Sequence, residues 1–119
     1  MNMARLHNVD SRVLLEGIES FVTLLKALPE VDAVILFGSL ASNTMTEASD
    51  IDIAVLIDEG CDQRNLRTII ADLKRSCFTW PTDLIVMKKT WFETRKSYGG
   101  LCLEINATGK WLYARGGGE

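Results

Sequence analysis

The stretch FGSLASNTMTEASDIDIAV, Phe37–Val55, joins one apolar run to another through a glycine-serine turn and then sets Asp52 between Ile51 and Ile53. In a strand, side chains two positions apart share a face, about 6.5–7 Å from one another. Asp50 and Asp52 therefore project together, while Ile51, Ile53 and Val55 point the other way. Two carboxylates at the end of a buried strand repel each other and lose hydration, a conflict relieved most directly by a divalent cation. Oxygen ligands of this kind suit Mg²⁺ or Mn²⁺. Upstream, Gly38 and Ser39 follow the apolar run that ends at Phe37. A glycine there lets a phosphate approach the backbone, where N–H groups and the Ser39 hydroxyl can donate to it. A third apolar run, Leu84 to Met87, is again preceded by an acid, Asp83. If that run pairs beside Ile51–Ile57, the three carboxylates converge.

Working outward, Val13, Leu14, Gly17, Ile18, Phe21, Val22, Leu25 and Leu28 recur at helical spacing, with Asp10 as the expected N-cap and Pro29 as the stop. Ala33–Phe37 reads as a strand covered on both faces, and residues 40–48 as a short helix or loop. After the Ile51–Ile57 strand, a helix begins near Asp62, with Leu66, Ile69, Ile70, Leu73 and Cys77 forming one stripe. Thr82–Met87 reads as a strand, Thr90–Tyr98 as a short helix, and Lys110–Ala114 as a last strand. Leu101–Ala107 fits helix and strand equally. This order predicts an α+β (α/β two-layer) domain, a mixed sheet with helices packed mainly on one face. Residues 1–115 are expected to form that single domain and 116–119 a flexible Gly-rich tail.

Composition narrows the function. The chain has 119 residues, enough for one core but no second lobe, and a formal charge of −3 that offers no general attraction for nucleic acid or anionic lipid. Three widely spaced cysteines, Cys61, Cys77 and Cys102, without a CxxC pair, suit a reduced, cytoplasmic setting. No apolar run is long enough to span a membrane. The single histidine, His7, precedes the first helix and reads as a surface residue, so histidine-based catalysis is not expected. Lys88 and Lys89 read as a solvated strand end, with Lys89 on the Asp83 alternation face. Trp80, Trp91 and Trp111 lack an accompanying basic stripe and read as core or interface packing. The Walker and dinucleotide glycine patterns are both absent.

Phe37, Gly38, Ser39, Ala41, Ser49, Asp50, Asp52 and Asp83 together resemble the signature of the DNA polymerase beta-like nucleotidyltransferases. The length and the segment Gly109–Tyr113 are similar to its minimal nucleotidyltransferase (MNT) subgroup. The resemblance implies transfer of a nucleoside monophosphate, AMP from ATP as the expected case, to an acceptor hydroxyl. By that resemblance Gly38 and Ser39 hold the triphosphate, Asp50 and Asp52 hold Mg²⁺, and Asp83 binds a second ion and serves the acceptor as base. Two ions about 4 Å apart stabilise both the attacking and the leaving oxygen. Proteins of this subgroup pair with helical HEPN proteins as antitoxins, so an HEPN-type partner, or a homo-oligomer, is implied. The family's Arg-Gly after Ala41 is replaced here by Ser42-Asn43. That departure keeps a second reading open, in which the same fold neutralises a partner by contact alone.

Overall fold

The computed structural model describes residues 8–41 and 50–116. Its elements follow in the order α1 (Asn8–Lys26), β1 (Val31–Phe37), α2 (Gly38–Ala41), β2 (Ile51–Ile57), α3 (Gln63–Cys77), β3 (Thr82–Lys88), α4 (Lys89–Arg95), α5 (Gly100–Thr108) and β4 (Lys110–Ala114). The four strands form one sheet in the order β3-β2-β1-β4. β1 runs antiparallel to both β2 and β4, whereas β2 and β3, joined by the crossover helix α3, are parallel. The expected mixed sheet is present.

The two central strands explain why their sequences are continuously apolar: both faces are covered. Val31, Val34 and Leu36 of β1 and Ile51, Ile53, Val55 and Ile57 of β2 pack with α1 and α3, the two long helices. Ala33, Ile35, Phe37, Ala54 and Leu56, the alternate residues, pack with Phe92 of α4 and with Cys102 and Ile105 of α5. The main helices thus share one face, and the two short ones, which the sequence reading did not assign to a side, close the other. Leu66 and Ile70 anchor α3. It starts where expected, next to Asp62, which caps it by accepting from the Asn65 N–H at 3.2 Å.

Several local expectations are corrected. α1 begins at Asn8, so Asp10 lies inside the helix rather than capping it. Val13 and Ile69, counted in the apolar stripes, are 57% and 39% exposed, because each stripe is broader than the arc its helix buries. Leu101–Ala107, which fits helix and strand equally by sequence, is resolved as helix within α5. Lys89 opens α4, so strand alternation does not reach it. Lys88 ends β3 and donates to the Glu59 carbonyl at 2.9 Å. His7, residues 42–49 with Ser42, Asn43 and Ser49, and residues 117–119 of the expected tail lie outside the described residues. Arg115 is tied down, its backbone N–H donating to the Asp32 carbonyl and its guanidinium to the Val31 carbonyl, both within 3 Å. All three cysteines are reduced. No helix among the described residues is long and apolar enough to cross a membrane.

Where α1 crosses α3, the approach is set by Gly17. A Cβ at this position would stand 2.8 Å from the Phe78 Cβ and 2.9 Å from the Cys77 carbonyl oxygen. Phe78 is itself locked edge-on against Phe21, with ring centroids 6.1 Å apart. Gly17→Leu is therefore expected to lose about 1–3 kcal/mol, despite leucine's better helix propensity. Urea unfolding measures this, and an unchanged midpoint would mean that the helices do not meet here.

Candidate active site

Asp52 and Asp83 stand side by side because β2 and β3 are parallel and in register. Asp52 is paired with Asp83, Ile53 with Leu84 and Ala54 with Ile85. Strand neighbours in register share a face, with backbones about 4.8 Å apart. Asp52 alternates with Ile51 and Ile53, so it points to the α4–α5 side, as Ala54 and Leu56 do. Asp83 shares that side with Ile85 and Met87. The strand starts are held together by the Ile51 N–H, which donates to the Pro81 carbonyl at 2.9 Å. Asp50 stands just ahead of β2 and is exposed, as is Asp83, while Asp52 is half-buried between them.

The glycine turn closes the same corner. β1 ends at Phe37, which is paired with Asp52, so Gly38 is delivered beside the Asp52 carboxyl. Gly38 adopts φ 75°, in the left-handed region that favours glycine. An added Cβ would stand 2.0 Å from Asp52 Oδ2 and 2.9 Å from its Cγ. Ser39 follows in α2; its side chain lies outside the described part of the structure. The glycine turn and the three acids thus occupy one end of the sheet, at the carboxyl end of β1 and the amino ends of β2 and β3.

Burial pushes the Asp52 carboxyl above the usual carboxylate range, and the negative charges of Asp83, Glu104 and Asp50 push it further. Glu104, on α5, was missed by sequence reading. Its segment showed no single periodicity, and nothing short of the packing of α5 over the sheet brings it toward the acids.

Among the described residues, no three His, Cys, Asp or Glu side chains are gathered closely enough to hold a metal ion as they stand. The donor types nevertheless fit a hard cation, which prefers carboxylate oxygens and keeps several waters and phosphate ligands of its own. Mutual repulsion on Asp52 is the electrostatic condition that such a cation relieves.

The sequence pattern of the family described as Polymerase beta, Nucleotidyltransferase matches residues 19–116. The chain belongs to the polymerase beta nucleotidyltransferase family. Among the solved structures that resemble the chain in fold and sequence are three toxin-antitoxin structures. One is a mutant of the toxin-antitoxin complex MntA-HpeT, 28% identical, with a TM-score of 0.58 over 82% of this chain and 72% of that one. A second is a toxin-antitoxin with AMP-PNP, 27% identical, with a TM-score of 0.57 over 81% and 73% of the respective chains. The third, from Shewanella oneidensis, is a tri-AMPylated HEPN toxin in complex with MNT antitoxin; it is 25% identical, with a TM-score of 0.52 over 86% and 72%. No curated protein sequence matches the chain. The family assignment and the likeness to structures containing MNT antitoxins agree with the family resemblance read from the sequence.

Proposed function

We propose that the protein transfers a nucleoside monophosphate, AMP from ATP, to a hydroxyl on a helical HEPN-type partner, as the antitoxin of a toxin-antitoxin pair. The observation that carries this reading is the in-register pairing of Asp52 with Asp83 beside the Gly38 turn. It is supported by the relatives, one solved with AMP-PNP and another with an AMPylated toxin. A cytoplasmic setting goes with it.

In this mechanism the triphosphate lies along the Gly38–Ser39 turn. Asp50 and Asp52 would hold Mg²⁺, with Asp83 contributing to a second ion; bound there, the metal supplies neutralisation of phosphate charge. Asp83, at the exposed mouth, takes the proton from the acceptor hydroxyl. The hydroxyl oxygen forms a bond to the α-phosphorus as the bond to the bridging oxygen breaks, and pyrophosphate leaves. Transfer of this kind demands positioning and charge compensation more than covalent help.

The second reading, neutralisation by contact, is favoured by Ser42-Asn43 in place of Arg-Gly. Incubation with α-labelled ATP, Mg²⁺ and the product of the neighbouring gene separates the two. Label on the partner, lost when EDTA removes the metal, is the expected result; a partner neutralised without label would establish the binding module instead.

A further inference from the structure

A cavity of about 540 Å³ opens outside β3, against α4 and the start of α3, with a floor of Ile85 and Met87, walls of Trp91 and Leu101 and a rim that includes Lys88 and Arg95. Its size is that of pockets that enclose a substantial ligand, about 300–1,000 Å³. Trp91 and Leu101 remain 52% and 41% exposed, although Arg95 lies over the Trp91 ring, 3.3 Å from its centroid. Ile85 and Met87 project from the same face of β3 as Asp83, so the floor leads along one strand into the acidic site. The step from Asp83 to Ile85 is about 7 Å.

β3 is an edge strand, yet it is poorly placed to accept a further strand. Gln63 Nε2 donates to the Val86 carbonyl at 3.0 Å, and Lys88 bridges to the Glu59 carbonyl. The bond to the Val86 carbonyl interrupts the edge ladder at that residue, and the side chains lining the cavity offer another mode of recognition. The rim carries two cations, Lys88 and Arg95, against one carboxylate, Glu59. The Glu59 carboxylate already accepts from the Thr90 hydroxyl. Neither Lys88 nor Arg95 forms an ion pair among the described residues.

The geometry points to an acceptor-docking groove. A segment of a partner protein drops one aliphatic or aromatic side chain between Trp91 and Leu101, sets acidic side chains against Lys88 and Arg95, and brings its hydroxyl-bearing residue to Asp83. This rests on the nucleotidyltransferase reading of the acidic site. A nucleic-acid strand fits less well, because the floor is aliphatic, Arg95 already occupies one face of Trp91, and the chain carries a net charge of −3.

Two short tyrosine-containing peptides test it, one with leucine flanked by glutamates and the other with the glutamates replaced by lysines. Each is titrated into the ¹⁵N-labelled protein while the Trp91 indole N–H and the Leu101 amide are followed. The glutamate peptide should saturate both signals with a Kd of about 1 mM or tighter, and the lysine peptide should bind about ten-fold more weakly. Trp91→Ala and Arg95→Glu should each weaken the glutamate peptide about ten-fold, with the dispersed amide spectrum of each variant reporting an intact fold. Equal binding of the two peptides would overturn the groove. So would tighter binding of an oligoadenylate at Trp91, or a concentration-dependent dimer dissolved by Arg95→Glu. Mg-ATP binding by the unaltered protein is measured in parallel. Nucleotide binding without peptide binding removes the groove alone. Peptide binding without nucleotide binding removes the transferase reading and the acceptor role with it.

Discussion

Asp52→Asn should abolish transfer and at the same time make the protein more stable. The side chain keeps its size but no longer carries charge, so the site's central carboxylate is lost while its repulsion with Asp83, Glu104 and Asp50 disappears. Transfer is expected to fall on the order of 10³-fold or more, the scale on which removal of a charge-stabilising group is felt. Stability in metal-free buffer should rise by about 0.2–1 kcal/mol, the usual cost of like charges on neighbouring strands. The pH dependence has a definite sign. Because the folded-state pKa is raised above the ordinary value of 3.8, the folded protein holds this proton more tightly than the unfolded chain does. Between that value and the raised one, stability falls as pH increases. The penalty is fully present above the window and relieved by acid, and Asp52→Asn should flatten this component. Denaturant unfolding between about pH 4 and 7, with and without Mg²⁺, measures it against the ordinary carboxylate range. A variant that transferred nucleotide as well as the parent, or unfolded more readily in metal-free buffer, would remove Asp52 from the centre of the site.

Gly38→Ala is expected to cost both fold and function. The left-handed backbone at φ 75° alone is worth about 1–2 kcal/mol against any residue with a Cβ. The new methyl group would also enter the space of Asp52 Oδ2, so the carboxylate must swing aside. A displacement of about 1 Å in such a site lowers rate on the order of 10²-fold. The two effects separate in the Gly38→Ala/Asp52→Ala double variant. With the Asp52 carboxyl gone, the severe part of the clash disappears, leaving the backbone part and a close approach of 3.2 Å to the Cβ of residue 52. Strictly additive losses in urea unfolding would show that the glycine is required by its dihedral alone.

The position of Asp52 was legible because strand alternation is a short-range rule: Asp52 and Ile51 sort themselves onto opposite faces without reference to the rest of the chain, whereas Asp50 stands just ahead of the strand, where alternation does not assign its face. That Asp83 stands opposite Asp52 was legible only conditionally, since it depends on β2 and β3 pairing in register. Gly38 was read as room for a phosphate. The fold shows a reason internal to the chain as well, because the nearest atom to a Cβ there belongs to Asp52. Glu104 was not legible. Leu101, Leu103 and Ile105 recur with the period of a strand, Cys102 and Ile105 with that of a helix turn, and only burial against Ile35 and Phe37 decides between them. Lys89 failed for a related reason, since alternation carries no information about where a strand stops. Trp91 was expected at core or interface; its exposure beside Arg95 depends on the path of α4.

The parallel pairing of β2 with β3 also fixes when the site can exist during synthesis. β1 and β2 are antiparallel neighbours in sequence, but Asp52 and Asp83 are separated by roughly thirty residues, and a loop of that length must close before they face each other. A nascent chain that has exposed the glycine turn and the first two acids still lacks the third. Competence for the proposed reaction therefore arrives with the docking of the crossover helix, and a protein truncated before β3 would carry the motif without the chemistry.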